Sequence, residues 1–214
     1  MKLINFDIAD DNIALIFKGQ YLDIHNNYEF CGYYRDSELK EVRLRWTRSH
    51  EDWSNEEICG FELLFKNVNY LRIRERDDTL PKTEDSCLSF IGFLPQEDRE
   101  IFDSYIVGNN TKDTNDLIVN FMSEQAFKIN ADVVEFSELN EEIIYVPVEV
   151  GYEGNKTWKP IWAEKIDELT YRIKSYCSNY NLINENLLFK LNEIVICEKR
   201  KLPMGQYLVA IKKK

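Results

Sequence analysis

The chain has 214 residues, with 38 acidic against 27 basic side chains, a formal charge of −11, and a hydrophobic share of 44%. That is enough chain for one large or two small buried cores, and the apolar share is that of a folded globular protein rather than a disordered one. Eight glycines and five prolines leave no material for a long flexible linker, no apolar window approaches the roughly 18 residues of a membrane span, and the negative balance repels polyanions and attracts basic partners.

At the start, Met1-Lys2-Leu3-Ile4-Asn5-Phe6-Asp7 has no apolar run followed by a small-residue cleavage site, so a cytoplasmic location is expected. The five cysteines, Cys31, Cys59, Cys87, Cys177 and Cys197, are odd in number and contain no Cys-x-x-Cys pair. Free thiols in a reducing compartment follow from that pattern.

Residues 13–24 read as a hairpin: Ile13, Leu15 and Phe17 alternate, Lys18-Gly19 turns, and Leu22 and Ile24 return. In residues 28–48, Val42, Leu44 and Trp46 alternate with Glu41, Arg43, Arg45 and Thr47, the pattern of a strand with one wet face. Ser54 with Glu57 is a candidate capping box for at most one helical turn. Residues 61–78 then repeat the first hairpin. Leu63-Leu64-Phe65-Lys66-Asn67 and Tyr70-Leu71-Arg72-Ile73 echo Leu15-Ile16-Phe17-Lys18-Gly19 and Tyr21-Leu22-Asp23-Ile24, with one extra residue in the turn. A third, fainter copy runs over residues 116–131.

Between the second and third copies, residues 77–89 are a polar loop interrupted by Pro81, and residues 90–94 are a strand. Pro95 followed by Gln96-Glu97-Asp98 is a plausible helix start, with Ile101, Phe102 and Tyr105 on one face, and residues 108–115 are a loop. Residues 143–152 are a further strand with a turn at 151–156. From Trp162 through Ile166, Leu169, Ile173 and Tyr176 to Tyr180 the spacing is helical, although the same stretch also reads as two strands around Asp167-Glu168. Residues 193–197 and 207–211 form a closing hairpin.

Charge is divided unevenly. Residues 1–144 hold 30 acidic and 15 basic side chains, residues 145–214 hold 8 and 12. This places a boundary near residue 144, between an acidic β-rich domain at 1–144 and a small domain at 145–214. The resulting fold class is mainly β, at most α+β, with an N-terminal antiparallel sheet built from repeated hairpins.

Two stretches carry resemblances. Trp158-Lys159-Pro160-Ile161-Trp162-Ala163-Glu164-Lys165-Ile166, Tyr171-Arg172-Ile173, Ile194-Val195-Ile196-Cys197-Glu198 and Leu208-Val209-Ala210 resemble the SH3-like β-barrel modules of bacterial proteins. That resemblance implies strands rather than a helix over 161–173, the reading adopted here, and implies no active site. Leu71-Arg72-Ile73, Arg76-Asp77-Asp78, Glu84-Asp85, Cys87-Leu88 and Phe90-Ile91-Gly92-Phe93, with the hairpin repeat, are similar to the small acidic immunity proteins encoded beside bacterial polymorphic toxins. This second resemblance implies a toxin as partner and no catalytic motif.

Signatures of chemistry are sparse. Neither histidine, His25 or His50, stands in a zinc spacing, and no nucleophile elbow or phosphate-binding glycine loop occurs. A cysteine paired in space with a histidine stays open, as does an acid–base role for Ser49-His50-Glu51-Asp52. No catalytic residue, metal ligand or cofactor is therefore expected. Adjacent acids such as Asp77-Asp78 point to opposite sides of a strand, so they form a charged surface before they form a dyad. As partner-binding residues the reading selects Asp77, Asp78, Glu84, Asp85, Glu97 and Asp98, since complementary charge on loops steers a basic partner.

The expectation is a non-enzymatic, cytoplasmic binding protein that neutralises a basic toxin, such as a nuclease, by occluding its active site. The alternative is an RNA- or nucleoprotein-associated module acting through the basic C-terminal barrel, where Lys199-Arg200-Lys201 and Lys212-Lys213-Lys214 lie. No membrane partner is expected, nucleic acid is the less favoured partner, and a homodimer stays open.

Overall fold

A computed structural model describes all residues except 55, 102–114, 151–154, 177–185 and 203–204. The fold is mainly β, as the alternating patterns require. No helix among the described residues is long and apolar enough to cross a membrane. The chain separates into two compact units: residues 1–46 with 61–138, and residues 47–60 with 139–214.

The first unit runs through β1 (Lys2–Ile4), β2 (Phe6–Ile8), β3 (Ala14–Phe17), β4 (Gln20–Asp23), the single helical turn α1 (Ile24–Asn27), β5 (Tyr28–Asp36), β6 (Glu41–Arg48), β7 (Gly60–Lys66), β8 (Tyr70–Arg74), β9 (Leu88–Pro95), β10 (Asn115–Phe121), β11 (Ala126–Asn130) and β12 (Val133–Leu139). These build three sheets, ordered β1-β12-β7-β6-β5, β8-β11-β10-β9 and β2-β3-β4. β1 pairs in parallel with β12. Aromatic rings tie the sheets together. Phe17 stacks on Phe136, Phe136 on Phe61 and Phe61 on Trp46, while Phe30 bridges Trp46 to Phe121. Each such ring buries on the order of 150–250 Å², which makes this stack the centre of the core.

The hairpin repeat is realised differently in its three places. β3 and β4 form the first hairpin around Lys18 and Gly19, whose φ of 50° and 79° are those of a two-residue turn matched to the strand twist. β10 and β11 form the third. The middle copy is not a hairpin, because β7 and β8 belong to different sheets. Its extra turn residue frees the backbone to bond elsewhere: the Val68 amide donates to Lys40 O and the Asn69 amide to Asn130 O. From Phe61 to Phe65, β7 is also buried on both faces, so it is flanked by β12 and β6 rather than left at an edge.

Other expectations change as well. The helix predicted from Pro95 shrinks to one 3-10 turn, Gln96–Asp98; Phe102 and Tyr105 lie outside the described residues, as do positions 108–114 and 151–154 of the predicted loop and turn. Among the described residues no helix forms at Ser54, whose amide instead donates to Glu51 O in a turn.

In the second unit lie β13 (Glu141–Val150), β14 (Asn155–Asp167), β15 (Thr170–Tyr176), β16 (Asn186–Leu187), β17 (Ile194–Leu202) and β18 (Gly205–Lys213). The stretch with helical spacing from Trp162 is β14 and β15; Tyr180 lies outside the described residues. β13, β14, β15, β17 and β18 follow one another as antiparallel neighbours. Four such reversals bring the last strand parallel to the first, and β18 closes on β13 through the parallel bridge Tyr145–Val209. The small barrel is filled by Ile144, Val146, Ile161, Ile173, Val195 and Leu208, with Tyr171 and Cys197 among them.

Candidate functional site

Two assemblies of charged side chains stand out, one in each unit. The first is the acidic loop after β8. It is organised by Arg76, whose guanidinium donates to Asp85 Oδ1 at 2.8 Å, Asp78 Oδ1 at 3.0 Å and Leu80 O at 2.6 Å. Asp77 accepts from both the amide and the hydroxyl of Thr79, and those bonds hold its carboxyl below the usual range. Backbone bonds from Asp77 N to Ser123 O and from Ser123 N to Glu84 O fasten the loop to the β10–β11 turn. The loop is therefore preorganised, and two of its carboxylates are partly neutralised by its own arginine.

Glu97 and Asp98 lie elsewhere. The six predicted residues sit at opposite ends of β9, whose eight residues span on the order of 20 Å at about 3.3 Å per step. Asp77, Asp78, Glu84 and Asp85 are brought together; Glu97 and Asp98 are not brought to them. At that second end the Asp98 carbonyl accepts from Lys128 Nζ at 2.8 Å. Lys128 is fully buried and also donates to the carbonyls of Arg99 and Ile101. Beside it, Arg99 grips the buried Asp116 with two bonds of 2.6 and 2.8 Å, and Asn130 adds a third. The alternating arginines pair with acids: Arg43 holds Glu41 and shares Glu62 with Arg45, Arg72 takes Glu100 and Arg74 takes Glu124.

The second assembly, which the sequence reading missed, centres on Glu142. Along β13, Glu142 occupies the same inward face as Ile144, Val146 and Val148, opposite the small Ala163. Its carboxylate is fully buried at the end of the barrel. Arg48 Nη2 donates to both oxygens, at 3.1 and 3.0 Å, and the Tyr171 hydroxyl donates to Oε1 at 2.7 Å. Nε2 of His50 lies 3.3 Å from Oε2 without making an aligned hydrogen bond. The imidazole is also hydrogen-bonded to the Ile143 backbone.

These contacts shift the groups as burial around one carboxylate should. Burial pushes His50 down to about 4, against the attraction of Glu142 and aided by Arg48 and Lys199. Burial, then Glu142, pushes the thiols of Cys59 and Cys197 up, the latter to about 12, and does the same to Tyr171. For Arg48 burial opposes the charge, and Glu142 more than offsets it. At neutral pH the hub holds one cation, one anion, a neutral imidazole and neutral thiols.

Three of the hub's residues come from 47–60, a segment that leaves β6 and re-enters β7. Its ends are joined by the Arg48 amide and Cys59 O at 2.8 Å, and Arg48 Nη1 reaches Glu56 O at 3.0 Å. A second attachment lies at Gln206, whose amide donates to Glu51 Oε1 and whose side chain donates to His50 O and Asp52 Oδ1. Ser49-His50-Glu51-Asp52 is thus a docking sequence within the second unit.

Among the described residues, cysteine chemistry has one geometric candidate, Cys87 Sγ at 3.8 Å from His25 Nδ1. That nitrogen also bonds the Leu88 carbonyl, which can only accept, so Nδ1 carries its proton and cannot take one from sulfur. Burial, with Glu84 and Asp23 nearby, raises the thiol further. The thiol is therefore not activated by this histidine. Among the described residues no group of three histidine, cysteine, aspartate or glutamate side chains could hold a metal ion.

No family model matches the chain, and neither a curated protein nor a solved structure matches it.

Proposed function

We propose that this protein is a non-enzymatic binder of a basic protein, an immunity-type inhibitor that occludes the active site of a toxin such as a nuclease domain. The observation that carries the reading is where the charge resides. The first unit holds 24 acidic and 14 basic side chains, the second 14 and 13, so nearly all of the net charge belongs to the unit that carries the acidic loop. There Arg76 fixes the positions of Asp78 and Asp85 in advance, which lowers the ordering cost of docking, while Asp77 and Glu84 add negative potential that speeds encounter with a cationic cleft.

Titrating the purified protein against the product of the gene adjacent to its own tests this. A stable complex and loss of toxicity are expected. In Asp77→Asn/Glu84→Gln the association rate falls roughly 3- to 10-fold at low salt and less at high salt, since exposed charges act through screened long-range attraction. Absence of both complex and protection rejects the proposal.

A further inference from the structure

We infer that residues 47–60 are an acid-released strap, which protonation of His50 detaches from the end of the barrel. The inference concerns the second unit alone and does not rest on the identity of any partner.

The strap has two attachments, the hub at Glu142 and the bonds to Gln206. Both involve the Ser49-His50-Glu51-Asp52 run, so a change at His50 reaches both: its side chain faces Glu142 and its carbonyl accepts from Gln206 Nε2. Around the imidazole stand Arg48 from β6, Glu142 from β13 and Lys199 from β17. Cys59 at the strap's far end, Tyr171 from β15 and Cys197 from β17 surround the same carboxylate, and Lys165 from β14 acts on Cys59.

The Glu142 carboxylate is already paired with Arg48 at 3.0 Å. A proton on His50 would place a second cation against one carboxylate in a site closed to water, with Lys199 adding to the repulsion. The protein relieves this by exposing His50 to solvent, which undoes the hub contacts of Arg48 and the bonds at Gln206 together. His50 is neutral whether the strap is docked or free above the ordinary histidine value of about 6.5. Docking is therefore strongest above that pH and weakens as pH falls from 6.5 toward 4, because only the free strap readily takes up the proton.

Hydrogen exchange on the full-length protein tests this, with rates corrected for the intrinsic effect of pH. Between pH 7.5 and 5.0 the peptides covering 47–60 lose protection about 30-fold, the ratio that linkage gives for a group moving between about 4 and 6.5. Peptides from β10 and β11 keep theirs. In His50→Gln, which cannot take up the proton, the strap shows no such loss over the same range.

The chain has two histidines, so their proton resonances in the wild-type protein supply a second readout that needs no variant. The His50 ring should remain neutral down to pH 5 while the strap is docked. Unchanged strap protection at pH 5, a decline that persists in His50→Gln, or a His50 ring titrating near 6.5 with the strap still protected would each overturn the inference.

Discussion

Removing either partner of the Arg48–Glu142 pair should damage the second unit more than removing both. At 3.0 Å two unit charges attract by about 5 kcal/mol at an effective dielectric of 20, set against a desolvation penalty of several kcal/mol per ion. The intact pair is therefore worth little net, whereas a lone buried charge costs about 3–5 kcal/mol. Glu142→Gln keeps an acceptor for the Tyr171 hydroxyl but strands the guanidinium, and should cost about 3 kcal/mol. Arg48→Met fills similar space but strands the carboxylate, at a similar cost. The double variant strands neither and should fall at least about 2 kcal/mol short of the sum of the singles. Native-state hydrogen exchange of β15 and β17 amides reads this in the full-length chain, isolating the second unit from the first. Additivity within about 0.5 kcal/mol, or a Glu142→Gln cost below about 1 kcal/mol, would refute the reasoning.

In the first unit, Lys128→Met leaves the carbonyls of Asp98, Arg99 and Ile101 without their shared donor. A loss of about 2–3 kcal/mol should appear as a drop in Tm of roughly 5–10 °C, and a drop under about 2 °C would contradict the assignment. Arg76→Ala removes the centre of the acidic loop, so cleavage by a glutamate-specific protease within 77–87 should rise about tenfold. Tm should fall by no more than about 3 °C, because the arginine's ion-pair partners Asp78 and Asp85 are exposed or nearly so. Cys87 should be alkylated at pH 7.5 several-fold more slowly than a free peptide thiol, with its rate still rising above pH 9, because its thiol is raised. Mass-spectrometric quantification of the labelled peptide decides it, and fast labelling at neutral pH would return the Cys87–His25 pair to consideration as a nucleophile.

Much of the architecture can be read from alternation. Val42, Leu44 and Trp46 are buried and Arg43 and Arg45 are not, as their period requires. The turn at Lys18-Gly19 is announced by its residues, and the extra residue at 67–69 hints that the middle copy differs. What alternation does not reveal is which strand lies beside which, so β7 and β8 look like a hairpin although each pairs elsewhere. The Glu142 hub was half legible. The run Glu142, Ile144, Val146, Val148 already assigns the carboxylate to the core face, and a buried acid demands a cation. Its cation, Arg48, is 94 residues away in sequence, and local pattern carries no information over that distance. The acidic loop was legible as composition but not as geometry, because Arg76 claims Asp78 and Asp85 only once the chain has turned.

The second unit is discontinuous in the chain, and this sets an order of events during synthesis. Residues 47–60 leave the ribosome about 80 residues ahead of β13, and at roughly 5–20 residues per second they wait several seconds or more before Glu142 exists to receive Arg48. Throughout that interval a guanidinium, an imidazole and a thiol destined for burial remain in water. The barrel, in turn, cannot close over Glu142 from its own sequence alone. A fragment beginning at residue 139 would carry a bare carboxylate into its interior, so dissecting this protein requires cutting around the segment rather than between residues 138 and 139.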